Sequence, residues 1–235
     1  MRFRNLYKKI GIVGGLSPES TMSYYQYLVR RYQELFGDHS YPEIVIYSVN
    51  FQRYITWTRQ EKWEKVAEDL TRVIARLQAA GADFAVIACN MVHFVFDQVQ
   101  ERAAIPLISI IDATAEAIRD AGITTVGLLG TRFTMENNFY RTGLARHGIE
   151  SLIPPKPSRI SLTQIILEEL ARGIITSASR NKVLAIIEDL VGKGASGIVL
   201  GCTELPLLIE AHHTSVRLFD TATLHADKAL RYAMT

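Results

Sequence analysis

The chain has 235 residues, 48% of them apolar and 21% charged, with a formal net charge of +2. This is the balance of an ordinary globular chain, long enough to bury one large core or two small ones. It lacks the basic clusters that a nucleic-acid partner requires. No run approaches the roughly 18 consecutive apolar residues of a membrane span. The apolar piece behind the basic start of "MRFRNLYKKIGIVGGLS" is too short for a signal peptide.

In chain order, short β-branched runs alternate with longer segments of helical period. The strand candidates are Lys9–Val13, Glu43–Asn50, Phe84–Ala88, Pro106–Ile110, Thr125–Leu129, Gly148–Ile153, Gly197–Leu200 and Val216–Phe219. Between them, "EKWEKVAEDLTRVIARLQAAG" and "SRNKVLAIIEDLVGKG" carry apolar residues at i, i+3, i+4 and i+7. Gly81, Gly122 and Gly194 stand where helix C-terminal glycines belong, and Pro18 suits a first helical position. The proline-rich "IPPKPSR" reads as a loop. Alternation of this kind predicts an α/β fold with mainly parallel sheets.

The two halves repeat. "KKIGIVGGLS" resembles "TTVGLLGTRF", with Gly11 and Gly127 116 positions apart. "GADFAVIACN" resembles "GASGIVLGCT", which sets Cys89 and Cys202 113 positions apart. "IPLISIIDATAEAI" resembles "TSVRLFDTATLHADKAL", with Asp112 and Asp220 108 apart. Three matches in the same order indicate duplication. The expected division is a first lobe of residues 1–111, a second of 112–219, and a C-terminal helix of 220–235 that packs back on the first.

In parallel α/β sheets the functional edge lies at the carboxyl ends of the strands. The two cysteines, the only ones in the chain, are therefore expected on opposite walls of one cleft, each at a helix start whose dipole favours thiolate. A disulfide between them is the weaker reading in a cytoplasmic protein, which this composition suggests. A lone strand-end cysteine is ordinarily a small hydrophobe; the duplicated context favours function for the pair.

Asn90, Thr203 and Glu204 follow the thiols and, with helix-start N–H groups, can hold a carboxylate. His93 and His225 are expected to orient the thiol corners, whereas His39, His147, His212 and His213 look like surface residues. Cys89 with His93, joined by Cys202, Glu204 and His225, is a rival metal set, but no closely paired ligand motif supports it, and no metal is expected. Asp112 and Asp220 read as helix N-caps that also shape cleft electrostatics. Gly14 and Gly15 allow close approach of an anion. Arg53, after the second strand in "SVNFQRY", is either a partner for a second substrate carboxylate or a solvated arginine, and Gln52 and Leu16 join the substrate-contact candidates. Trp57 and Trp63 read as core or interface.

"IGIVGGLSPEST", "ACNMVH", "LLGTRFTMENNFY", "GCTELPLL" and "FDTATLHADKA" closely resemble the aspartate/glutamate racemase family, over nearly the whole chain. The resemblance implies two pseudo-symmetric α/β lobes with the active site between them, and catalysis without pyridoxal phosphate or any other cofactor. It implies that Cys89 and Cys202 are the catalytic acid/base pair. It also implies that Asn90 and Thr203 bind the α-carboxylate, with the backbone N–H groups of Met91 and Thr131 nearby. Where the family commonly has a threonine after Cys-Asn, this chain has Met91, which removes a hydroxyl. The lysine that some aspartate-specific members carry in the second lobe has no clear counterpart; Arg159 is only approximately located.

The expected activity is racemisation of aspartate or glutamate by two-base proton transfer. The expected partner is a small amino acid, with a homodimer as an open question. The rivals are isomerisation or decarboxylation of a small dicarboxylate on the same scaffold, which predicts inequivalent thiols, and a non-catalytic small-ligand binding protein.

Overall fold

The computed structural model describes residues 7–235; the basic start of the chain, at residues 1–6, lies outside them. Among the described residues eight strands form two sheets: β1 (Ile10–Gly14), β2 (Ile44–Ser48), β3 (Phe84–Ile87) and β4 (Leu107–Ile108) in one, β5 (Thr125–Leu129), β6 (Glu150–Leu152), β7 (Gly197–Leu200) and β8 (Arg217–Asp220) in the other. The orders are β2-β1-β3-β4 and β6-β5-β7-β8, and every pairing is parallel. The duplication read from the sequence is thus a duplication of topology. Helices flank both sheets, as the alternation of apolar runs requires.

The chain divides into two compact units, one of residues up to Ile110 together with His225–Thr235, the other of Ile111–Leu224. Each has its own core. In the first, Val13, Ala85 and Ile87 pack under the helix Trp63–Ala79, whose Val66, Leu70, Val73, Ile74 and Leu77 are buried. In the second, Leu129, Ile198 and Leu200 pack with Val183, Ile187 and Leu190 of the helix Ser177–Gly192. The inner strands β1, β3 and β7 are buried along their whole length, whereas the edge strand β2 is partly exposed, as parallel sheets covered on both faces require.

Local chemistry fixes the ends. The helix α1 (Pro18–Phe36) opens with Pro18 at its first position and with the Ser17 hydroxyl accepting the Ser20 N–H at 3.1 Å. Gly81, Gly122 and Gly194 have φ of 97°, 69° and 103°, so they end their helices in the left-handed region as expected. The proline-rich loop is shorter than predicted: a helix, Lys156–Gln164, starts within it, because Pro155 and Pro157 fall where missing N–H groups cost nothing. β4 is also shorter, since Ile110 already begins the helix Ile110–Asp120.

Candidate active site

Cys89 lies two residues beyond the end of β3, and Cys202 two residues beyond the end of β7. Those strands hold the same place in their sheets. Neither cysteine is in a disulfide, and both side chains are half-buried. The expected helix starts are weaker than the sequence suggested. Cys89 is followed by a 3-10 turn, Met91–Val95, before the helix Phe96–Arg102, and Cys202 by the four-residue helix Leu205–Leu208. So few aligned peptides carry little dipole, and the support for these thiols comes from side chains.

At the Cys89 corner the support is imidazole. His93 is buried, with Nδ1 2.8 Å from the Cys89 carbonyl and Nε2 accepting the Ile110 N–H at 3.1 Å. Because a backbone N–H can only donate, Nε2 is bare and Nδ1 carries the proton that it gives to Cys89. Phe96 stacks on the ring, at 5.1 Å between centroids. Edge-on to His93, at 5.8 Å, lies His225. Its Nε2–H donates to the Ile108 carbonyl at 2.8 Å, and its Nδ1 accepts the Tyr24 hydroxyl at 2.7 Å. Complete burial, reinforced by any charge on His93 and opposed by the Ile108 bond, pushes the His225 pKa down to about 3. Both rings thus have both nitrogens engaged as neutral tautomers. With its nitrogens so engaged, neither ring offers a metal a lone pair. Among the described residues no group of three or more His, Cys, Asp and Glu is arranged to hold a metal ion.

At the Cys202 corner the support is a carboxylate. Cys202 Sγ donates to Glu204 Oε2 at 2.9 Å, and Thr203 Oγ1 donates to the same oxygen at 3.0 Å. Glu204 is buried. A thiol so placed has a proton acceptor in direct contact.

The other candidates fall as follows. Asn90 is buried, and its carbonyl accepts the His93 N–H at 3.1 Å; Met91 is half-buried at the opening of the 3-10 turn. Thr131 caps the helix Arg132–Glu136, its hydroxyl accepting the Thr134 N–H. Leu16, expected at the substrate wall, packs its side chain into the core of the first unit. Gln52 lies on the exposed face of the helix Phe51–Arg59, within reach of Thr56. Arg53 lines an open cavity of about 370 Å³ with Asn50, Gln52, Thr56 and Trp57, and pairs with the buried Asp69 at 2.9 Å. Both tryptophans pack against the first core.

Two assignments need correction. Asp112 is not an N-cap: it sits inside the first turn of the helix Ile110–Asp120 and pairs with His147 at 2.9 Å, which leaves His147 partly buried rather than on the open surface. The helix starts three residues earlier than an N-cap at Asp112 implies, so the aspartate falls inside the first turn. Asp220 does cap, accepting from the N–H groups of Ala222 and Thr223. The glycine pair is not an open anion cradle either. The Gly15 N–H donates to Thr21 Oγ1 at 2.8 Å, and a Cβ on Gly15 would stand 2.5 Å from the Val49 carbonyl. Close packing of backbone on backbone explains that glycine. Asp69 and Tyr24 were not singled out in the sequence; an acid on the apolar stripe of "EKVAEDLTRVIARL" was the available signal for the first.

Two parallel sheets of one strand order, each with a thiol just beyond its third strand, define a duplicated α/β protein with paired cysteine corners. Residues 13–229 match the Asp/Glu/Hydantoin racemase family, and the chain belongs to it, as an amino-acid racemase. A Yersinia pestis chain classed as an Asp/Glu racemase is 39% identical, with a TM-score of 0.91 over 97% of this chain and all of that one. An aspartate racemase homologue from Pyrococcus horikoshii is 40% identical, with a TM-score of 0.87 over the same shares. The broad specificity amino-acid racemase RacX of Bacillus subtilis is 23% identical over 91% of this chain and 92% of its own length. No helix among the described residues is long and apolar enough to cross a membrane.

Proposed function

We propose that the chain racemises aspartate or glutamate by two-base proton transfer, with Cys89 and Cys202 acting on opposite faces of the α-carbon. One cysteine, as thiolate, takes the α-proton; the other, as thiol, returns a proton to the opposite face, and the enzyme ends with the two protonation states exchanged. The observation that carries this reading is the placement of a thiol at the same point of two sheets of identical strand order.

Glu204 gives the Cys202 proton a destination. In one direction Cys202 donates as a thiol; in the other, Glu204 takes the thiol proton along the 2.9 Å contact, so that sulfur can act as base. At Cys89 the neutral His93 holds the backbone carbonyl, which fixes where the sulfur is carried. The carbanion formed between the two transfers draws on N–H donors at the corners, on Thr203 and on Asn90. Arg53 meets the side-chain carboxylate. No cofactor takes part in this scheme, and a cytoplasmic setting, in which thiols stay reduced, suits it.

The test is racemisation in D₂O of a panel of acidic and neutral amino acids, read by α-deuterium in the product enantiomer. Deuterium at the α-carbon supports two-base exchange with solvent. Inverted product carrying no solvent deuterium would sink it. Activity lost to a chelator and restored by zinc would reverse the metal-free part.

The unequal corners favour one alternative. If only Cys202, with Glu204, moves protons, the reaction is a one-sided isomerisation or decarboxylation of a small dicarboxylate. Carbon dioxide release, or turnover of a dicarboxylate without an amino group, would identify it.

A further inference from the structure

The first unit contains a buried carboxylate that the scheme above leaves unused. Asp69, on the helix Trp63–Ala79, is 4% exposed and sits in the stripe that otherwise buries Val66, Leu70 and Val73. A carboxylate there must be paired. Its Oδ2 accepts from Arg53 Nη2 and from the Tyr54 hydroxyl, both at 2.9 Å, and its Oδ1 accepts from Arg72 Nη2 at 2.6 Å. The Arg53 guanidinium also lies over the Trp57 ring, 5.3 Å from its centroid, and Tyr54 packs against the same ring at 5.6 Å. One buried acid therefore bonds both Arg53, which lines the cavity, and Tyr54, which packs on the cavity's Trp57.

From this geometry we infer that Asp69 is a positioning residue that holds Arg53 ready for the side-chain carboxylate of an acidic amino acid. The inference rests on the reading of Arg53 given above. Two guanidinium groups face one carboxylate, so the cluster keeps a net positive charge after pairing. Arg72, bonded to the far oxygen, balances Asp69 and leaves the charge of Arg53 for a ligand. A guanidinium already fixed by an ion pair and a ring loses less freedom on binding than a mobile one. The placement along the sheet is suitable: the helix bearing Arg53 follows β2 and the segment bearing Cys89 follows β3, both at the carboxyl edge, with only β1 between them. Two strand spacings are about 10 Å, which a small amino acid and an arginine side chain together can span.

The experiment is steady-state kinetics of the full chain on aspartate, glutamate and a neutral amino acid, for the wild type, Asp69→Asn, Asp69→Glu and Arg72→Gln, with thermal melting as the folding control. Asp69→Asn should raise KM for the acidic substrates about tenfold with a much smaller change in kcat, and the neutral substrate should be affected least. Asp69→Glu should recover part of the loss. Arg72→Gln, at an exposed side chain, removes the net positive charge and should raise the acidic KM about two- to fivefold. A folded Asp69→Asn with unchanged acidic KM, or with equal losses on acidic and neutral substrates, overturns the inference. Should Asp69→Asn not fold, an unchanged acidic KM in Arg72→Gln overturns it instead. Failure of the underlying reading looks different. If Arg53→Ala leaves acidic kinetics unchanged while α-deuterium exchange continues, the Arg53 role falls and the Asp69 role with it, but the thiol pair stands. If the wild type exchanges no α-proton, the racemase scheme falls, and calorimetric titration of wild type and Asp69→Asn with aspartate then decides Asp69 alone: equal affinities overturn its role and a weaker variant supports it.

Discussion

The Cys89 and Cys202 corners occupy the same point of two sheets with one strand order, yet different chemistry braces them. At the first, two neutral imidazoles bridge other groups: His93 joins the Cys89 carbonyl to the Ile110 N–H, and His225 joins the Tyr24 hydroxyl to the Ile108 carbonyl. At the second, a buried glutamate touches the sulfur itself. The frame that delivers a thiol to a strand end has been kept through duplication, because a buried parallel strand leaves little freedom in where it stops. The side chains that brace the two corners have diverged. Support through the backbone sets position; support through sulfur sets proton affinity. A reaction that needs an acid on one side and a base on the other can use that difference.

Removing each thiol in turn should have the largest effect. Cys89→Ser and Cys202→Ser should each lower racemisation by about 10²–10⁴-fold, the range for loss of a positioned acid or base. Each should still exchange the α-proton of one enantiomer in D₂O, and the two should favour opposite enantiomers. Proton NMR of each enantiomer incubated with each variant reads this directly, and full racemisation by both variants would end the paired-thiol account.

Glu204→Gln should act on the second corner alone. The amide keeps the shape but accepts the thiol proton poorly, so the half-reaction in which Cys202 is the base should slow by about 10–100-fold. The half-reaction in which Cys89 is the base should change less. Equal slowing from both enantiomers would show that Glu204 serves the fold rather than Cys202.

His93→Phe probes the other corner. The phenyl ring keeps the stacking on Phe96 but leaves the Ile110 N–H and the Cys89 carbonyl without their ring partner, at a cost of about 1–3 kcal/mol for each buried group left unpaired. The melting temperature should drop, and exchange by Cys89 should fall more than exchange by Cys202.

The pH dependence of stability separates the corners further. His225 has an ordinary pKa of 6.5 unfolded and about 3 folded, because burial excludes the charged form. Between those values the unfolded chain binds the extra proton, so stability is at its full level above about pH 6.5 and falls as pH is lowered toward 3. Urea midpoints at pH 7 and pH 4.5 should show the loss, and His225→Gln should flatten it.

The smallest effect concerns the equivalent glycines of β1 and β5. A Cβ on Gly11 would lie 3.0 Å from the Phe84 carbonyl, and one on Gly127 2.7 Å from the tip of Ile198. Both alanine variants should lose about 1–3 kcal/mol of stability by overpacking. Gly11→Ala should lose more, because a carbonyl within the sheet cannot rotate away as a methyl can. Urea denaturation of the pair checks the order.

Much of this molecule was legible in its residues. Eight β-branched runs with helical segments between them determine an α/β chain, since a period of two or a short apolar run cannot serve as a helix stripe; β5 and β7 begin and end where the pattern says. Glycines at 81, 122 and 194 determine helix ends, because only they adopt positive φ cheaply. The repeat of "VIACN" and "VLGCT" determines that a cysteine follows the equivalent strand of each sheet. What tertiary structure alone decided is which polar groups meet across the chain. His225 reaches Tyr24, 201 positions away, and Ile108, 117 positions away. Asp69 gathers arginines from two helices, and Asp112 turns to His147 instead of capping its helix. A cap or a strand follows from neighbours in sequence, whose geometry the backbone limits to a few states. A buried polar partner follows from the packing of whole elements, which brings together residues whose separation in the chain says nothing of their distance.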